Sequence, residues 1–178
     1  MAVVAIITDQ HFGARNDSLN FINFFEKFYT NVFLPTLQER GIKRLLILGD
    51  TFDRRKYVNF FSLLKAKQMF FDPLQEMGVR IDMLAGNHDT YFKNTNEVNS
   101  VDLLLREYDN INVIDKPQSI IVDVVNQTEV AMMPWICADN YDESMEFIKN
   151  VKAEICMGHF EISGFSMYNG MESHRSEE

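Results

Sequence analysis

The stretch "VRIDMLAGNHD", Val79 to Asp89, joins an apolar run to three adjacent polar side chains. Its first half is rich in the branched and apolar residues that are typical of a buried strand. Asn87, His88 and Asp89 follow at once and supply an amide, an imidazole and a carboxylate. A tight loop needs only one such polar side chain, and three adjacent polar side chains are not expected to pack in an apolar core. The stretch therefore predicts a strand that is followed directly by side chains with a binding or catalytic function.

Two similar apolar runs lie nearer the amino terminus. "VVAIIT", residues 3–8, is predicted to be a strand buried on both faces, and "KRLLILGD", residues 43–50, to be a second strand. Between them, phenylalanines recur every three or four residues and predict a helix capped by Asp17 or Ser18. Pro35 is expected to bend or break this helix.

Helical spacing returns after each later strand. A second helix is predicted within residues 57–78, disturbed near Pro73, and a third, shorter one within residues 96–108. Alternation of strands and helices implies parallel pairing, with the helices packed on the sheet. Beyond Asn110 the short runs "INVID", "QSIIVDVV" and "TEVAMMPW" predict hairpins of a second or mixed sheet, followed by a helix in "YDESMEFIKNV" and a strand in "AEICMGH".

The composition is that of one globular domain. The chain has 178 residues, of which 46% are hydrophobic and 24% charged. No apolar run approaches the roughly 18 residues of a membrane helix, and the two cysteines form no disulfide framework, so a cytoplasmic location without membrane contact is expected. The net charge of −9 argues mildly against nonspecific binding of nucleic acid. Bound divalent ions would nevertheless add positive charge where a phosphate must sit.

Polar residues able to bind metal follow each predicted parallel strand and one later strand. The carboxyl ends of parallel strands gather at one edge of a sheet, where ligands bind. Oxygen and nitrogen ligands without thiolate suit manganese, iron or zinc better than calcium, and better than magnesium alone. Gly49, Gly86 and Gly158 precede these groups, where small residues are expected to allow sharp turns. The residues predicted at this edge are Asp9, His11, Asp50, Asp53, Asn87, His88 and His159.

The motifs "TDQH", "GDTFD", "GNHD" and "GHFEISG" occur in this order, with helix-sized gaps, from Asp9 to Gly164. This arrangement resembles the calcineurin-like metallophosphoesterases, whose pattern runs DxH, GDxxD, GNH(D/E), GH and GHxH. Within that superfamily it is most similar to the SbcD-type nuclease subunits of double-strand-break repair complexes, and especially to the recombination endonuclease nuclease subunits of large tailed phages. The resemblance implies an α/β fold, a four-layer αββα sandwich of mixed sheets flanked by helices.

The resemblance also implies roles for the clustered residues. Asp9, His11 and Asp50 are expected to hold one divalent ion, and Asp50, Asn87 and His159 the other, with Asp50 bridging. The ions are expected to be Mn²⁺, with Mg²⁺, Fe²⁺ or Zn²⁺ as alternatives. Two such ions, roughly 3.5–4 Å apart, would clamp a phosphate and activate water.

His88 is similar to the family histidine that meets the scissile phosphate or the leaving group. Asp53 is expected to pair with His88, which would fix its tautomer and favour its cationic form. Asp89 is expected to cap a loop. Three basic residues that follow the bridging carboxylate are candidates for contact with DNA phosphates: Arg54, Arg55 and Lys56.

The function that the resemblance implies is a manganese-dependent DNA endo- or exonuclease. It would act in DNA recombination and repair with an SMC-like coiled-coil ATPase subunit, in a bacterial or phage-infected cell. Dimer-building helices of the family correspond to residues 58–77 and 98–108, which expose apolar candidates to a second copy: Phe60, Phe61, Leu64, Leu103 and Leu104. Packing of these side chains within one copy, a phosphoesterase of small or protein phosphates, and a non-catalytic dimerising remnant are the alternatives.

The sequence departs from the family pattern at its last motif. GHxH supplies one histidine to each ion, and after His159 the only histidine is His174, in "MESHRSEE", which is expected to be a tail residue. The capping domain and the ATPase-binding segment of the family are likewise expected to lie outside these residues. Residues 1–178 are therefore expected to be a C-terminally incomplete nuclease domain of a longer enzyme, with weak metal binding and slow or absent turnover.

Overall fold

The computed structural model describes residues 3–161, together with the backbone of residues 166–168 and 171–172. The predicted α/β architecture is confirmed, since two sheets of several strands are flanked by helices. His174 lies outside the described residues. Within the described part of the chain, no helix is both long and apolar enough to cross a lipid bilayer.

The first sheet has four parallel strands in the order β1-β2-β3-β4. They are β1 (Ala5–Ile7), β2 (Arg44–Ile47), β3 (Arg80–Leu84) and β4 (Ile111–Ile114). The expectation that β1 is buried on both faces was wrong, because β1 is an edge strand and Ile6 is 50% exposed.

The assignment of "INVID" to a hairpin of a second or mixed sheet was also wrong. Ile111 pairs with Ile81, and β4 therefore extends the first sheet in parallel register. A run this short carries no signal for which sheet it joins, because periodicity does not identify the pairing partner.

The second sheet has the order β5-β6-β7. Strands β5 (Gln118–Asp123) and β6 (Thr128–Met133) form the predicted antiparallel hairpin, and β7 (Ile155–Gly158) lies parallel to β6. A separate pair is formed by β8 (Ser166–Tyr168) and β9 (Met171–Glu172).

Seven helical segments connect the strands within the described residues. The first, α1, contains three residues with positive φ, Arg15, Asn16 and Asp17, and is closer to a turn than to a helix. The bounds are α1 Ala14–Asp17, α2 Leu19–Phe28, α3 Leu34–Glu39, α4 Phe60–Ala66, α5 Asp72–Glu76, α6 Ser100–Leu104 and α7 Tyr141–Asn150.

Two prolines are accommodated by π-helical turns. One turn, Tyr29–Phe33, joins α2 to α3 just before Pro35, and another, Lys67–Phe71, joins α4 to α5 just before Pro73. A proline cannot donate to the carbonyl four residues back, and its ring clashes with that carbonyl. The wider π turn relieves both problems, so each helix continues through the position where a bend or break was expected.

Apolar side chains form two cores, one on each face of the first sheet. The larger one packs aromatic residues of the connecting helices against the sheet, and includes the fully buried Phe70 and Phe71. The smaller one lies between the two sheets and contains Leu46, Leu84 and Met132. This layering brings the ends of strands from both sheets together at one edge of the molecule.

A buried carboxylate lies in the middle of β3. Asp82 is fully buried, and its Oδ2 accepts hydrogen bonds from Nε of Arg44 at 2.9 Å and pairs with Nη2 at 2.8 Å. Asn112 donates to the other oxygen at 2.9 Å. Arg44 also donates to the main-chain carbonyl of Ile121 on β5, and so it ties the two sheets together. A charge in this position is tolerated because it is fully paired.

We expect Arg44→Met to lower the free energy of unfolding by about 3–5 kcal/mol, because it leaves the Asp82 carboxylate buried without its cation. The matched control is Arg80→Met, since the Arg80 side chain is 63% exposed and its Nη2 lies 3.8 Å from Asp82. The control should cost less than about 1 kcal/mol. Urea denaturation measures both values, and equal losses in the two variants would contradict the assignment.

Candidate metal centre

The predicted edge of the sheet gathers carboxylates and imidazoles around Asp50. Nε2 of His11 lies 3.7 Å from Oδ1 of Asp9 and 3.7 Å from Oδ2 of Asp50. Nε2 of His159 lies 3.5 Å from Oδ1 of Asp50, which is itself nearly buried. Asp50 therefore presents its two oxygens to imidazoles that arrive from different sheets.

Two groups of side chains have ligand atoms within 4.8 Å of one another, and Asp50 belongs to both. One group is His11, Asp50 and His88, and the other is Asp9, Asp50 and His159. The resemblance predicted a different grouping of the ligands, with Asp9 and His11 on the same ion. The central position of Asp50 is the same in both divisions.

The side chains near His159 fit a cation. Nδ1 of His159 lies 2.9 Å from the carbonyl oxygen of Leu48, so this nitrogen carries the proton and Nε2 has a free lone pair. That lone pair faces Oδ1 of Asn87 at 2.9 Å. The same amide atom lies 3.1 and 3.2 Å from the two carboxylate oxygens of Asp50.

Three acceptors therefore face one another with no donor between them. Rotation of the Asn87 amide would place its nitrogen there as a donor to both neighbours. With the carbonyl oxygen inward, as ligation requires, a bound cation would hold the three acceptors together. The donor set of one carboxylate, one amide oxygen and one imidazole suits Mn²⁺, Fe²⁺ or Zn²⁺.

His88 is oriented by the main chain and not by the Asp53 side chain. Its Nδ1 lies 2.6 Å from the carbonyl oxygen of Asp53, which leaves Nε2 free, and its ring packs edge-on to that of His11 at 5.0 Å. The carboxylate of Asp53 instead lies 3.5 Å from Nδ1 of His11. Asp53 thus contacts His88, as expected, but through its main-chain carbonyl, while its carboxylate points towards the other histidine.

The backbone at the strand ends is strained. Asp9, His11 and Asp50 have φ values of 51°, 46° and 52°, in the left-handed region that non-glycine residues rarely adopt. The turns are held by hydrogen bonds from the amide of Asp9 to the carbonyl of Gly49 at 3.1 Å and from that of His11 to Asp50 at 3.0 Å. Three non-glycine residues in this conformation at one site are typical of functional centres.

The glycines of the motifs have different purposes. Gly49 has a φ of 99° and allows the turn that was expected. Gly86 is needed for close approach, since a Cβ atom there would lie 2.2 Å from the amide nitrogen of Asp50 and 2.3 Å from its Oδ1. Gly86 therefore allows two neighbouring loops to come into contact, and not the sharp turn that was expected there.

Asp89 caps two loops at once. Its carboxylate is fully buried and accepts from the amides of Thr51 at 3.2 Å, Phe52 at 3.0 Å and Gly86 at 3.0 Å. Burial raises the pKa of Asp89 to about 6, although the three amide hydrogen bonds act in the opposite direction. The sequence pointed to a loop cap, but only the structure shows that the cap joins the loops after β2 and β3.

The three basic residues have different surroundings. Arg54 donates to Asp17 at 3.1 Å and to Asn16 at 2.8 Å, so its charge is largely neutralised. Arg55 lies 4.9 Å above the ring of Trp135, where burial lowers its pKa while the carboxylates of Asp50 and Glu161 raise it. Lys56 is exposed.

Sequence reasoning did not predict a role for Trp135 at this site. The ring is nearly buried, and it also supports the Arg55 guanidinium beside the candidate metal centre. A tryptophan far along the chain carries no local signal for such a contact.

The residues expected at a dimer interface are on the surface. Phe60 is 90% exposed, and the other exposed members are Phe61, Leu64 and Leu103. Leu104 is partly buried against the larger core. These side chains belong to α4 and α6, beside an open apolar cavity of about 200 Å³.

Comparison with known proteins identifies the family. A family model described as calcineurin-like phosphoesterase matches residues 2–177. The chain belongs to this family. A curated relative, exonuclease subunit 1 of Enterobacteria phage T4, is 34% identical over 140 residues, which are 79% of this chain and 40% of the relative. The chain thus spans less than half the length of that relative.

A solved structure, the Pseudomonas putida nuclease MPE, matches with a TM-score of 0.45 and 18% identity. The match covers 72% of this chain and 52% of the other. A likeness of this degree carries no argument about function. The family match itself agrees with the metal-competent groups around Asp50, because calcineurin-like phosphoesterases use divalent metal ions.

Gly86→Ala is expected to weaken Mn²⁺ binding by at least about tenfold, because the added methyl group must displace Asp50. Gly41→Ala is the matched control. Gly41 has a φ of 63° but no atom within 4 Å of a Cβ, so it tests backbone strain alone. Isothermal titration calorimetry measures the affinities, and an equal change in both variants would contradict the close-approach argument.

Proposed function

We propose that this chain is a metal-dependent phosphodiesterase that hydrolyses DNA. The observation that carries the proposal is the convergence of side chains from Asp50, Asn87 and His159, whose oxygen and nitrogen atoms fit a divalent cation. Membership of the calcineurin-like phosphoesterases supports hydrolysis of a phosphate ester. The similarity to a phage exonuclease subunit favours DNA as the substrate.

Two divalent ions would be held by side chains that share Asp50. Asp9 and His11 are proposed for one ion and Asn87 and His159 for the other, with Mn²⁺ preferred for these oxygen and nitrogen ligands. When bound, the ions would neutralise the phosphate and lower the pKa of an attacking water. The Asp53 carboxylate, 3.5 Å from Nδ1 of His11, would keep that imidazole in the ligating tautomer.

His88 is proposed as the proton donor to the leaving oxygen. Its Nδ1–H is held by the Asp53 carbonyl, and its Nε2 is free to carry and deliver a second proton. Arg55 is proposed to contact the phosphate, because its guanidinium interacts with Asp50 and is stacked on Trp135. Arg54 is a weaker candidate, since Asp17 and Asn16 already use its donors.

The proposal is tested with His88→Gln, Asp50→Asn and the charge control Glu39→Gln, which removes an exposed carboxylate at the end of α3. We expect His88→Gln to keep metal binding and to lose about 10²- to 10⁴-fold in DNA hydrolysis. Asp50→Asn should lose both metal binding and DNA hydrolysis, and Glu39→Gln should lose neither property. Mn²⁺ titration and cleavage of labelled DNA measure these properties.

Two outcomes would contradict this function. Faster hydrolysis of p-nitrophenyl phosphate than of DNA in the wild-type chain would favour a phosphatase of small or protein phosphates. Failure to bind Mn²⁺ under all conditions would favour a non-catalytic remnant. Loss of metal in His88→Gln would make His88 a ligand, as its place beside His11 and Asp50 allows.

We also propose a homodimer formed through α4 and α6. Exposed apolar side chains on both helices adjoin the apolar cavity, and a second copy would remove them from water. A further partner subunit is proposed, supported by the name of the phage relative, which is itself a subunit. The resemblance to the repair nucleases favours a coiled-coil ATPase in that role.

Leu64→Lys is expected to convert a dimer to a monomer, because it places a charge in the proposed apolar interface. Phe24→Lys is the matched control, since Phe24 is exposed on α2, outside the proposed interface. Sedimentation velocity at several concentrations measures the association state. A monomeric wild-type chain, or equal effects of both substitutions, would rule out this interface.

A further inference from the structure

Two adjacent aromatic side chains protrude just beyond the candidate metal centre. Tyr91 is 41% exposed and Phe92 is 47% exposed, and they follow His88 by three and four positions. Their ring centroids are 4.8 Å apart, with an interplanar angle of 77°. Neither ring is used in the proposed chemistry. Exposure of two neighbouring aromatic rings to water forgoes the free energy that their burial would contribute.

The backbone beneath these rings is fixed on both sides. The amide of Tyr91 donates to the carbonyl of Val98 at 2.8 Å. Nη1 of Arg55 donates to the carbonyl of Phe92 at 3.3 Å and to Oγ1 of Thr90 at 3.2 Å. The rings are therefore presented on a rigid loop, which lowers the entropy lost when they bind a partner.

This loop is tied directly to the loop that carries the catalytic candidates. Arg55 follows Asp53 by two residues, and its hydrogen bonds to the Phe92 segment join the two loops. The Thr90 hydroxyl also lies 3.3 Å from the carbonyl of Asn87. The aromatic pair thus has a defined position relative to the metal-competent side chains.

Unneutralised positive charge surrounds the aromatic pair. Nζ of Lys56 lies 5.7 Å from the centre of the Tyr91 ring, and Lys93 is exposed next to Phe92. Within residues 3–161, no carboxylate is within ion-pair distance of either lysine. By contrast, Lys65 and Lys67 on the nearby helical segment are paired with glutamates. In a chain with a net charge of −9, two free lysines beside two aromatic rings favour an anionic, planar ligand.

We propose that Tyr91 and Phe92, whose rings meet edge to face, form a stacking platform on which an unpaired nucleobase lies against the face of one ring and meets the edge of the other, with Lys56 and Lys93 contacting the adjoining phosphates. A base inside a duplex is already stacked and paired, so it cannot use this platform without first being released. The substrate selected in this way is single-stranded DNA or the frayed end of a duplex. This inference rests on the proposed function, because DNA is taken to be the substrate.

The test compares binding of two short oligonucleotides with the metal chelated, so that neither is cleaved. One is oligothymidylate, and the other has the same backbone with abasic sites in place of the bases. Fluorescence anisotropy at low salt gives both affinities. The wild-type chain is expected to favour the base-bearing strand by about fivefold or more, because each stacked base strengthens binding by that order.

Four variants separate stacking from general apolar contact. Phe92→Leu and Tyr91→Leu keep an apolar side chain without an aromatic face, and both should reduce the preference. Phe92→Trp restores a larger face and should keep or increase it. Phe24→Leu changes an exposed phenylalanine on α2 and should leave the preference unchanged.

Three outcomes would overturn the stacking platform. They are equal binding of both strands by the wild-type chain, an unchanged preference in both leucine variants, and a change in association state in Phe92→Leu without a change in DNA binding. The last would assign the rings to a protein interface.

Hydrolysis of bis(p-nitrophenyl) phosphate by the wild-type chain is measured separately, because it does not depend on a base. Hydrolysis without base preference would refute the platform alone. Base preference without any hydrolysis would support the platform and refute the proposed catalysis.

Discussion

The buried carboxylate of Asp89 is the interaction on which the site depends. It accepts three main-chain amides, two from the loop after β2 and one from the loop after β3. Those loops carry Asp50 on one side and Asn87 with His88 on the other. The amide of His88 donates to Oδ1 of Asp50 at 2.8 Å, which strengthens the same junction. A buried carboxylate is costly, as its raised pKa shows, and hydrogen bonds to three amides offset much of that cost.

The sheet, and not a set of side-chain partners, orients the two later histidines. His88 and His159 each direct Nδ1 to a main-chain carbonyl, of Asp53 and Leu48 respectively. A main-chain acceptor beside a strand has little freedom, so both imidazoles keep one tautomer and one direction. His11 differs, because its Nδ1 faces the Asp53 carboxylate. The Asp53 residue therefore serves two histidines, one through its carbonyl and the other through its side chain.

Much of this arrangement could be predicted from the sequence, because its signals are local. The apolar runs that form β2 and β3, and the polar residues directly after them, specify parallel strands whose ends hold metal ligands. Contacts between distant segments had no such signal. The partner of β4, the Arg44–Asp82 pair and the support of Arg55 by Trp135 depend on how the chain folds over long separations. The use of the Asp53 carbonyl by His88 could not be predicted for a related reason, since residue spacing does not show which atom of a residue faces a neighbour.

The acidic character of the chain and a DNA substrate are compatible because the relevant charge is local. Arg44, Arg54 and Lys65 are matched by nearby carboxylates and contribute little to the field beyond them. Lys56 and Lys93 have no such match among residues 3–161, and both are beside the aromatic pair near the metal-competent side chains. Acidic surfaces elsewhere would repel a phosphate backbone, while these two lysines would attract it, so the contrast would direct the proposed DNA substrate to one location. Ions bound at Asp50 would deepen that contrast where the phosphate must be cleaved.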